Sequence, residues 1–367
     1  MKVECTKENL TESISIAEKI SGRNLTLPVL NNLLLIAENN KFLIRSTNLD
    51  LGVEIEVPAK IVSEGTVAIS GAVLHGLVST IYSNDKIILE TISQNLTVST
   101  KSNKALIKSV PHDDFPTLPK VKDGKSINIK SQEFINGLKS VWYSASVSAI
   151  KQELSSVYIY NDSGKLVFVS TDSFRLAEKT IAVDEKVKDF KPILIPLSNI
   201  SEIIRVLEYV GGEVEVNIGG SQISFVSDKL YLTSRLINGV FPDYKQIIPK
   251  KQTTEVVVLK QDIVNTLKNT NVFSDKFNQV SISIDPSAKL FTISARDEHV
   301  GEVTSSVDSA IKGEALDINF NHKYISDSFQ SIYSDSVGLE FAGLSKPMIV
   351  RGVGDASFFY LVMPMNK

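Results

Sequence analysis

The chain has 367 residues, of which 43% are hydrophobic and 22% charged, a balance typical of folded globular domains that excludes a largely disordered chain. The formal net charge of −3 argues against a uniformly basic nucleic-acid-binding protein, although it leaves room for one basic face. The length predicts two or three domains. The single cysteine and the absence of an apolar leader in "MKVECTKENL" indicate a cytoplasmic protein without an internal disulfide.

A strand, a polar corner and a second strand occur in this order three times along the chain. The three segments are 41–57, 165–181 and 289–305, and each begins with Lys and an alternating apolar run. Their corner residues are Asn48, Asp172 and Asp297, which are separated by 124 and then 125 residues. A fixed period of this length indicates three copies of one structural unit.

Two amphipathic helices are predicted in each unit. Bulky residues at positions i and i+4 mark the first helix of each unit; they are Leu10 and Ile14, Phe134 and Leu138, and Ile263 and Leu267. The second helices begin near residues 71, 197 and 321, with Ser198 and Asn321 as predicted N-caps. We therefore predict an α+β fold of three repeated domains, 1–122, 127–250 and 254–367, each with two helices packed on antiparallel sheets.

Residues that would indicate an enzyme are missing from the sequence. The four histidines His75, His112, His299 and His322 are scattered without metal-binding spacing, and neither a phosphate-binding glycine loop nor a nucleophile elbow is present. Asp113-Asp114 is typical of a polar turn before Phe115-Pro116. The sequence predicts no catalytic residue, no metal site and no cofactor.

Asp172 and Arg175 allow two interpretations. A carboxylate between two strands can accept backbone N–H groups and fix the turn, or it can be a catalytic acid beside an orienting cation. Asn48 and Asp297 at the same place in the sister units favour the turn. A hydrolase or transferase centred on this pair remains an alternative, as does a β-rich interaction scaffold.

Several motifs resemble the family of the bacterial DNA polymerase III beta subunit, the DNA sliding clamps. They are "TLPVLNNLLL" (26–35), "STDSFRLA" (170–177), "FPDYKQIIPK" (241–250), "FNHKYISD" (320–327) and "YLVMPMNK" (360–367). The resemblance covers the whole chain in order and includes the triple repeat.

This resemblance implies three clamp domains per chain and a ring formed by a head-to-tail homodimer around double-stranded DNA. It implies a processivity factor without catalysis or cofactor that binds DNA without sequence preference. The implied partners are the clamp-loader complex, the replicative polymerase alpha subunit, and other polymerases and repair proteins that bind through short peptides. No membrane is implied.

The resemblance also implies a hydrophobic groove that binds these peptides. The matching positions are Leu154, Thr171, Ser173, Phe174, Arg175, Leu176, Pro242, Ile247, Phe277, Asn321, Tyr324, Leu344, Leu361, Val362, Met363, Pro364 and Met365. Aliphatic and Met side chains suit an adaptable apolar pocket. The chain departs from the family at Ser173-Phe174, where Gly-His is common, and at Gln246, where a basic residue is common.

Two further sets of residues follow from the resemblance. The cations expected to face DNA are Arg23, Lys139, Lys151, Arg205, Lys268 and Lys323, and together they would form a loose positive sleeve around phosphates. The expected dimer interface joins Val272 and Phe273 of one copy to Ala105 and Ile107 of the other.

Overall fold

The computed structural model describes residues 1–22, 27–82, 86–121, 124–183 and 190–365. These residues form two compact units. The first consists mainly of Met1–Ile135 and Ser198–Leu236, and the second mainly of Asn136–Val187 and Ile237–Lys367. The central repeat therefore contributes elements to both units.

The first repeat has ten strands and two helices among its described residues. They are β1 Lys2–Thr6, α1 Lys7–Ile20, β2 Asn32–Glu38, β3 Lys41–Thr47, β4 Leu51–Val57, β5 Ala59–Ser63, β6 Gly65–Ser70, α2 Gly71–Ser79, β7 Lys86–Ile92, β8 Asn95–Ser99, β9 Lys104–Ile107 and β10 Ser109–Val110. Leu10 and Ile14 are buried on one face of α1, as predicted. The hydroxyl of Ser70 caps α2 by accepting from the backbone N–H of Val73 at 3.4 Å.

The second repeat follows the same order. Its described elements are β11 Lys125–Lys130, α3 Ser131–Val141, β12 Ser156–Asp162, β13 Lys165–Thr171, β14 Arg175–Ala182, β15 Ile193–Pro196, α4 Leu197–Val210, β16 Glu213–Ile218, β17 Gln222–Ser227 and β18 Leu230–Arg235. Phe134 and Leu138 are buried, as predicted. The prediction that Ser198 is an N-cap is wrong, because β15 ends at Pro196 and the helix begins directly at Leu197.

The third repeat has nine strands and two helices in its described part. They are β19 Thr254–Leu259, α5 Lys260–Asn271, β20 Gln279–Asp285, β21 Leu290–Asp297, β22 Gly301–Ser306, β23 Ser309–Gly313, β24 Leu316–Asn321, α6 His322–Ser328, β25 Ser336–Phe341, β26 Met348–Gly352 and β27 Phe358–Val362. Ile263 and Leu267 are buried, as predicted. The predicted cap Asn321 is confirmed, because its side-chain oxygen accepts from the N–H groups of Lys323 (3.0 Å) and Tyr324 (3.3 Å).

Two antiparallel sheets make up the first unit. A five-stranded sheet has the order β5-β1-β7-β8-β9, and a nine-stranded sheet has the order β10-β6-β2-β3-β4-β18-β17-β16-β11. The larger sheet crosses from the first repeat to the second, since β4 pairs with β18 and places Ile55 opposite Leu230. Backbone hydrogen bonds therefore join the two repeats directly.

The second unit has the same construction. Its nine-stranded sheet has the order β15-β12-β13-β14-β27-β26-β25-β19-β23, and its four-stranded sheet has the order β22-β21-β20-β24. Here β14 of the second repeat pairs with β27 of the third, with Arg175 opposite Val362. In both units, the last strand of one repeat completes the sheet of the preceding repeat.

The polar corners are turns held by their own side chains. The side-chain oxygen of Asn48 accepts from the backbone N–H groups two and three residues further on, at 3.0 and 2.7 Å. Asp297 makes the same two hydrogen bonds at 2.8 and 3.1 Å. The structural interpretation of the corner is therefore confirmed in the first and third repeats.

Each Phe-Pro turn covers one face of a large sheet. In the first unit Phe115 packs against Leu34, Ile36 and Ala68. In the second unit Phe241 packs against a cluster that includes Val167. Among the described residues, no helix is long and apolar enough to cross a membrane, and no group of three or more His, Cys, Asp or Glu residues could hold a metal ion.

Candidate peptide-binding groove

The corner between β13 and β14 repeats the geometry of the other two corners. The Oδ1 atom of Asp172 accepts from the backbone N–H groups of Phe174 (2.9 Å) and Arg175 (3.0 Å). The hydroxyl of Thr171 donates to the carbonyl of Arg175 at 2.6 Å and accepts from the N–H of Ser173 at 3.1 Å. Asp172 therefore holds the turn, as in the sister repeats, and the turn interpretation is confirmed here too.

Ser173 has a backbone φ of +80°, in the left-handed region that favours glycine. Leu49 occupies the same place in the first corner with a φ of +78°. A non-glycine residue in this region costs about 1–2 kcal/mol. The departure from the family's Gly-His at this position therefore keeps the turn but adds backbone strain.

Arg175 links this corner to the third repeat. Its Nε donates to Oδ2 of Asp172 at 2.9 Å, and its Nη1 donates to Oδ2 of Asp327 on α6 at 2.5 Å. Its guanidinium lies over the ring of Tyr324, 4.6 Å from the ring centroid. Burial alone would lower the pKa of Arg175, but Tyr360 and the two carboxylates outweigh that effect and raise its pKa above the ordinary value.

The chain after β27 runs between the second and third repeats. The backbone N–H of Met363 donates to the carbonyl of Phe174 at 2.8 Å, which extends the pairing of β27 with β14 by one residue. The N–H of Met365 donates to the carbonyl of Asn319 on β24, also at 2.8 Å. The tail is thus held by backbone hydrogen bonds on both sides, and Met363, Pro364 and Met365 are half-buried.

Beneath the tail lies an apolar floor. Leu176 and Leu361 belong to one buried cluster with Phe241 and Tyr244, and Met363 packs against this cluster. Leu154 and Val362 are also buried. These predicted groove residues are therefore buried, and a peptide could reach only other residues of the predicted set.

The accessible rim contains several large side chains. Phe174, Pro242, Ile247, Phe277 and Leu344 are exposed. The side-chain amide of Asn321 donates to the carbonyl of Phe277 at 3.2 Å, so the cap of α6 also holds that part of the rim. All predicted groove residues lie in the second unit, where some are buried and others expose apolar side chains that a peptide could contact.

Asp327, Tyr360 and Tyr244 were not predicted from the sequence. Asp327 carries the ion pair with Arg175, and Tyr360 lies beside the same guanidinium. Tyr244 contributes to the floor. Their roles depend on contacts over long sequence separations, and no local pattern indicates them.

The cations predicted to face DNA have different surroundings. Lys139, Lys151, Lys268 and Lys323 are exposed, and Arg23 lies outside the described residues. Arg205 instead donates to the carbonyls of two residues in α1 at 3.0 and 3.1 Å and forms an ion pair with Glu202 at 2.5 Å. Arg205 therefore joins α4 to α1, and these contacts occupy its guanidinium.

The predicted interface residues lie on the edge strand β9 and in the segment that follows α5. Val272 is 64% exposed, and Phe273 lies close to Gly301 at the start of β22. On β9, Ala105 is half-buried and Ile107 is only 6% exposed, whereas Leu106 between them is 59% exposed. Side chains alternate along a strand, so Leu106 supplies the accessible apolar surface of this edge.

Three segments of the chain match the three domains of one family, the DNA polymerase III beta subunit: its N-terminal domain at 1–119, its central domain at 128–243 and its C-terminal domain at 245–366. The chain is 24% identical to the beta sliding clamp of Rickettsia bellii over 100% of both sequences. It is similar to the crystal structure of the Thermotoga maritima DNA polymerase III beta subunit, with a TM-score of 0.93 and 25% identity over 100% of this chain and 99% of that one. A Pseudomonas aeruginosa sliding clamp bound to griselimycin has the same fold, with a TM-score of 0.94 and 22% identity over 100% of both chains.

Replacing Arg175 with Ala removes the cation between Asp172 and Asp327. Breaking a largely buried ion pair leaves the remaining charges poorly compensated, so we expect the free energy of unfolding to fall by about 2–4 kcal/mol. Urea denaturation followed by circular dichroism measures this change. The control is Arg296→Ala, because the Arg296–Glu302 pair is exposed and its loss should change stability by less than about 0.5 kcal/mol. Equal midpoints for the two variants would contradict the role given to Arg175.

Proposed function

Because the chain belongs to the family of the DNA polymerase III beta subunit and is a DNA sliding clamp, we propose that two copies close head to tail around duplex DNA. The closed ring holds a replicative polymerase and other replication and repair proteins at the DNA through their short clamp-binding peptides. A clamp loader opens it. The three predicted domains, 1–122, 127–250 and 254–367, are the quasi-equivalent parts of each half ring.

The observation that carries this proposal is the free edge at each end of the repeat series. Strand β22 has the same place in the third repeat as β4 in the first and β14 in the second. Likewise, β9 of the first repeat corresponds to β18 of the second and β27 of the third. Both β4·β18 and β14·β27 are antiparallel pairs inside nine-stranded sheets. Pairing β22 of one copy with β9 of another joins a four-stranded sheet to a five-stranded sheet and completes a third sheet of nine strands.

Side chains at these edges supply apolar area for the contact. Leu106 is exposed on β9, and Val272 is exposed directly after α5, next in the chain to Phe273, which lies close to Gly301 at the start of β22. Two such contacts per ring would cover both β9 and β22, which also removes two sites for uncontrolled strand pairing.

Leu106→Ala combined with Val272→Ala should shift the protein from dimer toward monomer. Each truncation removes an anchor from the interface, and together they should raise the dimer dissociation constant by about 10- to 100-fold. Multi-angle light scattering over a dilution series measures this shift. Val62→Ala is the matched control, because Val62 is 50% exposed on β5, at the opposite edge of the five-stranded sheet. An unchanged dimer in the double variant would show that the interface lies elsewhere.

Partner peptides bind the groove of the second unit in this proposal. The tail contributes Met363, Pro364 and Met365 to a surface whose floor is buried and apolar. A short peptide with a Gln followed by spaced Leu and Phe anchors can bury those anchors against this floor and the exposed rim. The flexible Met side chains allow several related peptides to fit.

Truncation of the chain after Val362 should abolish peptide binding and leave the dimer intact. We expect the full chain to bind such a peptide with a Kd in the micromolar range, equivalent to about −8 kcal/mol. The truncated chain loses the tail but keeps β27 and both free edges. Isothermal titration calorimetry measures the peptide affinity, and light scattering on the same samples measures the dimer. Unaltered peptide affinity after truncation would exclude the tail from the groove.

Contact with DNA is proposed to be weak and independent of sequence. Lys139, Lys268 and Lys323 are exposed on α3, α5 and α6, and a lysine that contacts only phosphate carries no sequence information. A net charge of −3 is compatible with this role, since enclosure rather than affinity retains the ring on DNA.

A further inference from the structure

The turn that forms one wall of the proposed groove is held by a chain of hydrogen bonds. This turn, residues 241–247, carries Pro242 and Ile247 on the rim. The hydroxyl of its Tyr244 donates to the carboxylate of Glu178 on β14 and is 2.9 Å from the hydroxyl of Tyr160 on β12. Two strands of the floor therefore fix the position of the wall.

Phe241, at the start of the turn, is held by ring stacking rather than by a hydrogen bond. The ring of Phe241 stacks on Tyr158, with 4.7 Å between centroids and 2° between the planes. Stacked rings are found over a range of centroid distances and offsets, so stacking restrains the turn less specifically than a directional contact does. The hydrogen bond from Tyr244 to a carboxylate is directional and charge-assisted, so it restrains the turn more specifically.

Glu178 is a charged residue on a strand face that also carries part of the apolar floor. Leu176, two residues earlier on the same face of β14, belongs to the buried apolar floor. Burial raises the pKa of Glu178, whereas the hydrogen bond from Tyr244 opposes this rise. A carboxylate adds nothing to the apolar packing of the floor. Its hydrogen bond from Tyr244 instead holds the turn that forms the wall.

We propose that Glu178 and Tyr160 are positioning residues for peptide binding. Through Tyr244 they set the distance between the wall at Pro242 and Ile247 and the floor at Leu176. They act without touching the peptide. This inference rests on the proposed peptide-binding function of the groove.

Removing the Glu178 side chain should leave the fold intact. Glu178 lines an open cleft of about 520 Å³, together with Lys165, Lys245 and Ser357. Truncation there opens space to solvent and creates no sealed cavity in the core. The effect on the position of the turn can therefore be separated from loss of folding.

The test compares Glu178→Ala, Glu178→Gln and Tyr244→Phe in the full chain by calorimetry. The probe is a synthetic peptide with a Gln followed by spaced Leu and Phe anchors. We expect Glu178→Ala and Tyr244→Phe each to weaken binding by about 10-fold, and the double variant Glu178→Ala/Tyr244→Phe to bind no more weakly than Tyr244→Phe, because Tyr244→Phe already removes the hydrogen bond that Glu178→Ala removes. Glu178→Gln keeps an oxygen acceptor and should stay within about 3-fold of the wild type.

A destabilised control separates positioning from general loss of stability. Asn199→Ala removes a buried hydrogen bond to Ser234 in the first unit, so it should lower the melting temperature without changing peptide affinity. Wild-type affinity in both Glu178→Ala and Tyr244→Phe would overturn the positioning role, as would a Gln variant as weak as the Ala variant. If the wild type itself fails to bind the peptide, both the proposed groove function and this inference are wrong. If the wild type binds the peptide and the variants bind it equally well, only the positioning role is wrong and the groove function is retained.

Discussion

Antiparallel pairing between successive repeats is the constraint on which the rest of the structure depends. The last strand of one repeat completes the sheet of the repeat before it, at β4·β18 and again at β14·β27. The corresponding strands at the two ends of the series, β9 and β22, are edge strands in the described part of the chain. Backbone groups at an open strand edge retain their capacity to form hydrogen bonds, and a second copy that satisfies both edges closes the series.

The proposed groove would be a consequence of the same pairing. Because β27 lies beside β14, the residues that follow β27 pass directly over the corner at Asp172 and reach Asn319. Arg175 then joins that corner to α6 through Asp327. A partner peptide would therefore bind where backbone pairing and a largely buried ion pair already join two repeats, and this rigid support lowers the entropic cost of binding.

Features encoded by local pattern were predictable from the sequence, and features that depend on distant contacts were not. The corners at Asn48, Asp172 and Asp297 follow from residues that bond to their own neighbours, and the buried helix faces follow from spacing along one helix. Other groove and edge features have no such local signal. The ion pair from Arg175 to Asp327 spans 152 residues, Arg205 bonds to a helix 190 residues away, and Leu106 differs from Ile107 only in which side of β9 it faces. The positions of the groove residues came from family resemblance, and their division into buried floor and exposed rim came only from the three-dimensional structure.

Retention on DNA before and after a circle is cut tests the central claim most directly. The protein would be loaded onto nicked circular DNA, separated from free protein, and divided into two samples, one of which is linearised by a restriction enzyme. Enclosure predicts retention on the circle at salt concentrations that abolish binding to a short linear duplex, because escape from the circle requires an interface to open. It also predicts rapid loss after linearisation, since the ring slides off a free end. Equal retention on circular and linearised DNA would show that the protein is held by direct contact and would contradict the clamp mechanism.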